Sequence, residues 1–572
     1  MALKKLYSLS LRLLVAFFLS PVITNAQDFL KNAEIHGNFQ TDGQYYVTDS
    51  KLGVTDSAID GKILRMNGFT NVIYSYGNFS AGLRFEAYLP PLIGYDVQNQ
   101  GAGIPYWYAN YKNDKLDITA GNFYEQFGNG MILRTYEEWT LGFDNSLRGL
   151  KVKFMPINGI TLKGVWGIQR NYWDTYNDNS RGMVKGADAD FYLNDIFPSL
   201  ANAKTKLTLG GSFVSDYIRG KSQTIIYNKQ IYDVKLPENV SAYSGRINLN
   251  IGKVTFYTEY AHKINDPSAM NKYIYKDGNG LFSNLSYSQK GFGASVSVKM
   301  IDNMSYKSNR SVTTNQLSIN YLPTLTRQHA YSLSAMYPDA TQPNGEFGFQ
   351  GTVIYNIPKN TVIGGKTGWT IDVNYSQVNS NDTYPVNDTI RLDASGTLGH
   401  KTHFFQMGNT IYYQDFNIEI TKKFFKKWTG IFSYLNQTYN KDVIEGHLNE
   451  YGDVYANIGV ADVTYNITRK YSIRGELEGL WTKQDKGNWL AGLLEFTISP
   501  AWFFSIQDQW NYGNPVSSQT IHYYLVSAGY TYNTSRISLS YGRQRAGLLC
   551  VGGVCRYVPA ASGATLTITS SF

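Results

Sequence analysis

From residue 34 to the carboxy terminus, apolar and polar side chains alternate along the chain. Within 470–482, Tyr471, Ile473, Leu477 and Trp481 share one parity with Gly475 and Gly479 between them. Lys470, Ser472, Arg474, Glu476, Glu478 and Thr482 share the other. Within 241–251, Tyr243, Ile247, Leu249 and Ile251 oppose Ser244, Arg246, Asn248 and Asn250; further on, Ile537, Leu539 and Tyr541 oppose Ser538, Ser540, Gly542 and Gln544. Successive side chains of a strand face opposite sides of its sheet, so each segment has one apolar and one polar face. No comparable stretch of helical periodicity stands out. The chain is expected to be all-β.

A soluble sandwich would alternate too, so the connections decide between the two architectures. The pattern predicts about 26 strands, among them 313–322 and 328–338. Every second connection is tight, as at Gly77-Asn78, Asn113-Asp114, Ile157-Asn158, Phe425-Lys426 and Asn533-Thr534. The intervening ones are mostly long, as at 49–67, 125–146, 218–240, 379–410 and 547–561. Short turns at one end and long loops at the other are the organisation of an antiparallel transmembrane β-barrel. In hydrocarbon an open sheet edge leaves unpaired N–H and C=O groups, and closure removes the edge. The apolar faces then meet outer-membrane lipid and the polar faces line a lumen. The 46 Tyr and 10 Trp fit the two water–lipid boundaries, although ordinary strand propensity accounts for part of the excess.

Composition excludes other classes. Charged residues are 17% of the chain and mean hydropathy is −0.31, and beyond residue 26 no apolar run is long enough for a membrane helix. The formal charge is +8, part of it in the leader and none of it clustered, which argues against nucleic acid as a partner.

Residues 1–26 resemble a secretory leader. Lys4, Lys5 and Arg12 precede an apolar core, Leu13 to Ile23, and Ala26 supplies a small residue at the expected cleavage point. A membrane anchor is disfavoured by the short core and by Pro21. The expected organisation is a leader, 1–26, followed by one barrel domain, 27–572, in the outer membrane. At the other end Leu566, Ile568, Ser570 and Phe572 alternate and the last residue is aromatic. A closing strand of this kind resembles the signal recognised by the barrel-assembly machinery, making Leu566, Ile568 and Phe572 the candidate assembly signal.

A barrel of this size needs something in its middle. Only about seven residues separate the expected cleavage point from the first strand, so no amino-terminal plug is expected and the filling must come from loops. The segment 125–149 is the candidate: Met131, Ile132, Leu133, Trp139, Leu141 and Phe143 are mixed with charged residues. A loop in solvent has little reason to carry six large apolar groups. Folded inward, it could bury them while Arg134, Glu137, Glu138, Asp144 and Arg148 pair with a polar wall. The alternative is two further short strands. Asp508 breaks the pattern, sharing parity with Trp502, Phe504, Ile506 and Trp510; a bulge or a register error is expected there.

Cys550 and Cys555 flank Gly552-Gly553 in the loop 546–561. In an exported chain they are expected to form a disulfide closing a tight turn. Two thiolates without a neighbouring His supply half a tetrahedral metal site, and no metal or cofactor is expected. No nucleophile elbow, zinc-protease helix or phosphate loop occurs, so no catalytic residue is assigned. Charged positions such as Lys470, Arg474, Glu476, Glu478, Glu259 and Glu495 read as a solvated wall of mixed sign.

The run Phe123-Tyr124-Glu125-Gln126-Phe127-Gly128-Asn129-Gly130, then Arg134-Thr135-Tyr136-Glu137-Glu138 and Arg148-Gly149, resembles a family of uncharacterised outer-membrane barrel proteins of Bacteroidetes-type bacteria. Cys550-Val551-Gly552-Gly553-Val554-Cys555-Arg556-Tyr557-Val558-Pro559 resembles the same family. The resemblance implies compartment and fold and transfers no activity. The expected role is a channel or transport component with a loop-constricted lumen. A structural barrel docking an unidentified protein partner is the alternative, and a barrel-embedded hydrolase a minor one.

Overall fold

Alternate side chains sort onto the two faces of one sheet. A computed structural model describes residues 33–173, 181–220, 223–227, 230–389 and 391–572; the expected leader, 1–26, lies outside them. The sheet begins with β1 (Ala33–Tyr46), β2 (Leu64–Tyr76), β3 (Phe79–Tyr88), β4 (Gly101–Lys112), β5 (Leu116–Phe123) and β6 (Leu147–Phe154). It continues with β7 (Ile160–Gln169), β8 (Met183–Tyr192), β9 (Thr205–Tyr217), β10 (Asn239–Ile251), β11 (Val254–Lys263) and β12 (Gly278–Gln289). Next come β13 (Phe292–Asp302), β14 (Gly345–Ile357), β15 (Trp369–Pro385), β16 (His400–Phe425), β17 (Trp428–Asn440) and β18 (Asp453–Asn466). The last six are β19 (Tyr471–Trp481), β20 (Trp489–Ile498), β21 (Trp502–Trp510), β22 (His522–Tyr532), β23 (Ser535–Gln544) and β24 (Ala561–Ser571).

Each strand pairs antiparallel with its neighbours in sequence, and β1 pairs with both β2 and β24, so the 24-stranded sheet closes. Thr41 lies opposite Gly68 on one side and Ile568 on the other. Closure leaves no edge. Tight turns join the strands at one end, where Gly77 and Gly252 take φ of +55° and +59°, left-handed values that favour glycine. At the other end stand the long connections.

The faces sort as the alternation requires. Tyr243, Ile247 and Ile251 of β10 are exposed while Ala242, Ser244 and Arg246 are buried. Ile473, Leu477 and Trp481 of β19 face out, and Glu478 between them is 1% exposed. Asp508 takes the outward position that parity assigns it. The β20–β21 register runs unbroken from Ile498↔Trp502 to Leu490↔Trp510, so there is no bulge, and Asp508 pairs with His522 Nδ1 at 2.5 Å near the loop end.

Two expectations are corrected. The segments 313–322 and 328–338 are not strands, which is why the barrel has 24 and not 26. They belong to one long connection, 303–344, between β13 and β14, and their backbone bonds elsewhere. Ile319 N donates to Tyr306 O at 2.9 Å, and Ala335 N turns back to Tyr331 O at 2.9 Å. The segment 379–410 is not all loop. β15 and β16 continue into it as a paired ribbon, with register shifts between Val378 and Thr383. The ladder belongs to the backbone, and polar side chains conceal it from hydropathy.

Candidate functional site

Three connections from the loop end turn back onto the inward-facing side chains of the wall: 124–146, 303–344 and the hairpin Gly547–Val551/Val554–Val558. Apolar content drives this. Phe127, Met131, Ile132 and Leu133 pack with Val165, Val214, Val240 and Ala261 of the wall and with Ile319 and Leu322 of 303–344. Leu333 and Tyr337 pack in a second cluster with Tyr413, Leu435, Tyr439, Ile458 and Trp489. A fully buried large side chain contributes about 1.5–3 kcal/mol, enough to draw in a segment carrying several. The two segments also bond to each other: Arg134 N donates to Ile319 O at 2.9 Å, and Tyr321 N to Gly130 O at 3.0 Å.

Carboxylates of the wall fasten them. Glu259 accepts from Asn129 N at 2.7 Å. Gly128, with φ of +52°, leaves the space: a Cβ there would lie 2.5 Å from the Glu259 carboxylate. Glu478 accepts from Ser332 N, Ser332 Oγ and Leu333 N at 3.1, 2.7 and 2.9 Å. Asp415 meets His329 Nε2 at 2.8 Å, and Arg327 reaches Asp372 and Glu419 at 3.0 and 3.3 Å. Charge-assisted hydrogen bonds of this kind are roughly twice as strong as neutral ones. Glu259 and Glu478 are therefore not solvated wall, as their sequence context implies, but buried acceptors for backbone donors. Inward parity combined with charge was the available signal, and it did not specify a partner.

The candidate residues of 125–149 separate into distinct roles. Glu137 and Asp144 enter a buried network in which Arg84 contacts both of them and Glu86. Arg170 closes it, reaching Glu86 at 2.6 Å and Asp144 at 2.7 Å. Burial would raise Asp144, but Arg170 and Arg84 win and hold it below the usual carboxylate range. Burial raises Glu137 against the pull of Arg84. Trp139 stacks on Phe69 with centroids 3.9 Å apart. Arg134 lies over the rings of Tyr136 and Tyr321 at 4.6 and 4.0 Å.

Glu138 instead caps its own short turn, accepting from Thr140 N and Oγ1 at 3.2 and 2.7 Å. Arg148 is not in the loop. β6 starts at Leu147, whose side chain takes the inner face, so Arg148 falls on the other parity, over Trp107 at 5.0 Å. At the carboxy terminus, Phe572 exchanges backbone hydrogen bonds with Gly37 at 2.9 and 3.0 Å; Leu566 and Ile568 pair across β24 with Gly43 and Thr41.

Cys550 and Cys555 form a disulfide. The hairpin it closes bonds to 303–344: Tyr321 Oη donates to Gly552 O and Asn315 Nδ2 to Cys555 O, both at 2.7 Å.

Asp339, in 303–344, is buried, with Oδ2 bonded to Thr324 at 2.7 Å and Oδ1 unpartnered. Burial first, then Glu346, pushes it up from 3.8 to about 6, while Lys299 opposes. Between those values the docked segment holds a proton that the released segment gives up, so docking weakens as pH rises through about 6. Protease nicking of 303–344 is expected to be slower at pH 5 than at pH 7.5, and Asp339→Asn to be slow at both.

Among curated proteins none matches this chain. Among solved structures, the siderophore receptor PirA from Pseudomonas aeruginosa aligns at 10% identity over 94% of this chain and 80% of its own, with a TM-score of 0.40. The P pilus usher PapC translocation pore aligns at 9% identity over 94% and 99%, with a TM-score of 0.39. The FrpB iron transporter from Neisseria meningitidis aligns at 9% identity over 96% and 84%, with a TM-score of 0.36. Likeness at this level carries no argument about activity, and strand pairing alone defines the barrel. The family is shown by sequence: a model described as "Family of unknown function (DUF6029)" matches residues 3–572, and the chain belongs to that family.

Proposed function

We propose that this protein is an outer-membrane barrel that passes small solutes through a lumen narrowed by its own loops. The observation that carries the reading is the fastening of 124–146 and 303–344 to inward-facing wall carboxylates, Glu259, Asp415 and Glu478. Cavities of about 400 and 300 Å³ lie along β1 and its neighbouring strands, the smaller of them lined also by Trp139 and Thr140 of 124–146, so the filling leaves room on one side. Exposed Trp107, Trp166, Phe213 and Ile247 on the outer face support a lipid environment, as does the leader-like segment 1–26. Closure of the sheet supports spanning, since lipid tolerates no open edge.

Docking of a surface partner is the second reading. It is favoured by Ile226 and Ile231, 75% and 73% exposed on the hairpin Gln223–Tyr227/Gln230–Val234 at the loop end. Proteoliposome swelling separates the two. Entry of solutes of sugar or amino-acid size with exclusion of larger oligomers is expected. Impermeability to every solute, together with a stoichiometric protein co-purifying in mild detergent, would overturn the transport reading in favour of docking.

A further inference from the structure

At the turn end of the barrel, three successive turns carry cations and no acid. They are 358–368 between β14 and β15, 426–427 between β16 and β17, and 467–470 between β18 and β19. Lys359 and Lys366 stand in the first, the run Lys-Lys-Phe-Phe-Lys-Lys over 422–427 makes the second, and Arg469 and Lys470 end the third, eight cations in all. Neither Asp nor Glu occurs within 358–371, 420–441 or 463–475. All but Lys422 are exposed. The nearest acids along these strands, Asp372, Glu419 and Asp462, are held by Arg327 and Arg474 and leave the rim charge unbalanced. The turns form one continuous surface: Thr367 Oγ1 donates to Lys423 O at 2.5 Å, Asn466 N to Lys427 O at 2.8 Å, and Lys427 Nζ to Ile467 O at 2.6 Å.

Rings accompany the cations. Phe424 and Trp428 are exposed, and Trp428 stacks on Tyr465 with centroids 4.4 Å apart. Lys422 Nζ lies 5.8 Å from the Trp369 ring and Lys427 Nζ 5.9 Å from the Tyr465 ring. Such rings mark a water–lipid boundary, where a lysine stem lies along apolar surface and its ammonium stays at headgroup level. The turn 358–368 also raises an apolar tip. Val362 is fully exposed and Ile363 is 70% exposed. The turn is bonded within itself, Gly365 N to Thr361 O at 2.9 Å and Gly368 N to Gly364 O at 3.0 Å, and the Trp369 indole donates to Ile363 O at 3.1 Å. Two aliphatic side chains are thus held out beside the rings, a position that water disfavours and acyl chains suit.

We infer that this arc of the rim, β14 to β19 at the turn end, is a binding surface for anionic phospholipid of the leaflet it meets. Phosphate headgroups answer the cations, and Val362 and Ile363 enter the acyl region beside them. Cations alone would suit an acidic protein equally; cations with an exposed apolar tip favour lipid. Other turns lack the pattern, since Gly77-Asn78, Ser499-Pro500 and Asn533-Thr534 carry no charge, so bound lipid collects on one arc. The inference rests on the membrane placement of the barrel and is independent of solute passage.

Native mass spectrometry of the folded full chain in detergent, offered equimolar phosphatidylglycerol and phosphatidylcholine of the same acyl chains, tests it. Phosphatidylglycerol adducts are expected to exceed phosphatidylcholine adducts by about five-fold or more, the gain from roughly one engaged cation. Combining Lys359→Gln, Lys366→Gln, Lys422→Gln and Lys426→Gln should abolish the preference. A charge-matched control in other turns, Lys112→Gln with Lys115→Gln, Lys253→Gln and Lys290→Gln, all at exposed positions, should keep it. Inorganic phosphate in excess should leave the lipid bound, because it has no chains for the apolar tip. No preference in the parent, or equal loss in the control, would overturn the surface. Displacement by phosphate would make it a site for the free anion, and a stoichiometric acidic protein lost from the four-lysine variant would give the arc to a protein partner. Heat-modifiable gel mobility certifies each barrel. A parent without it fails the membrane placement, whereas a folded barrel without preference fails only the lipid surface.

Discussion

Excision of 305–342, with Met304 and Pro343 rejoined through a short Gly-Ser turn, is expected to convert the barrel into a wide conducting pore. The ends are already together, Met304 N donating to Pro343 O at 2.8 Å, so the new turn spans almost nothing. β13 and β14 pair directly from Phe292↔Tyr355 to Asp302↔Gly345, and 303–344 contributes no rung to any wall ladder. The sheet should therefore close as before. A circular sheet of 24 strands at normal spacing and tilt is roughly 45 Å across, far wider than any small solute. Removing Leu333, Tyr337 and their neighbours empties the half of the interior bounded by Asp415, Leu435 and Glu478. Single-channel conductance in planar bilayers should rise by about ten-fold or more over the intact chain. An excised chain that keeps heat-modifiable mobility and conducts no better would show that 303–344 does not close the path.

Arg84→Ala is expected to release 124–146 from the wall at a cost of about 3–5 kcal/mol, the usual penalty for orphaning one side of a buried ion pair. Arg84 is 2% exposed and faces Glu86, Glu137 and Asp144 together, with its guanidinium 4.7 Å over the rings of both Tyr106 and Trp139. Without it Arg170 alone answers Glu86 and Asp144, and Glu137 keeps only Tyr124 at 2.8 Å. Three carboxylates would then converge on one cation. Arg84→Lys should recover a minority of the loss, since one ammonium cannot serve three acids at once. Burial holds Glu137 above the usual carboxylate range, so protonation comes first there as pH falls, and it removes one repelling charge. The variant's defect should thus be smaller at pH 5 than at pH 8. Protease cutting within 124–146 reads the release. An Arg84→Ala chain cut no faster than the parent would remove the network from the account.

Strand positions were legible because a wall strand has an apolar outer face and a polar inner one, and that contrast is written at every second residue. Tyr243, Ile247 and Ile251 against Ser244 and Arg246 needed no partner to be interpreted. The segment 125–149 read as an inward loop for a related reason: six large apolar residues in a connection have little reason to face solvent, and Phe127, Met131, Ile132 and Leu133 pack against Val165, Val214 and Ala261. For 303–344 the same logic misled. Leu317, Ile319 and Tyr321 alternate as a strand would, yet the backbone there bends and turns, with Leu317 at a φ of +58°. Pro323 and Pro338 were the contrary signal, since proline is poorly tolerated within a paired strand.

The site was less legible than the fold. Glu259 and Glu478 sit where parity puts a lumen residue, yet nothing local reveals that each accepts backbone N–H groups from a segment more than a hundred positions away. Arg556 was visible only as part of a motif beside a cysteine. That its guanidinium packs against Gly94, where a Cβ would lie 2.8 Å from Nη1, and over the Tyr95 ring is a contact that no local stretch announces.

Periodicity and connection length by themselves determined a closed antiparallel barrel with turns at one rim and loops at the other, because which face of the sheet a side chain takes is decided residue by residue along each strand. What fills the cylinder, and which charges are neutralised there, only the tertiary structure decided. An interior contact pairs residues from distant strands and loops, and its energy depends on geometry that no single stretch of sequence carries.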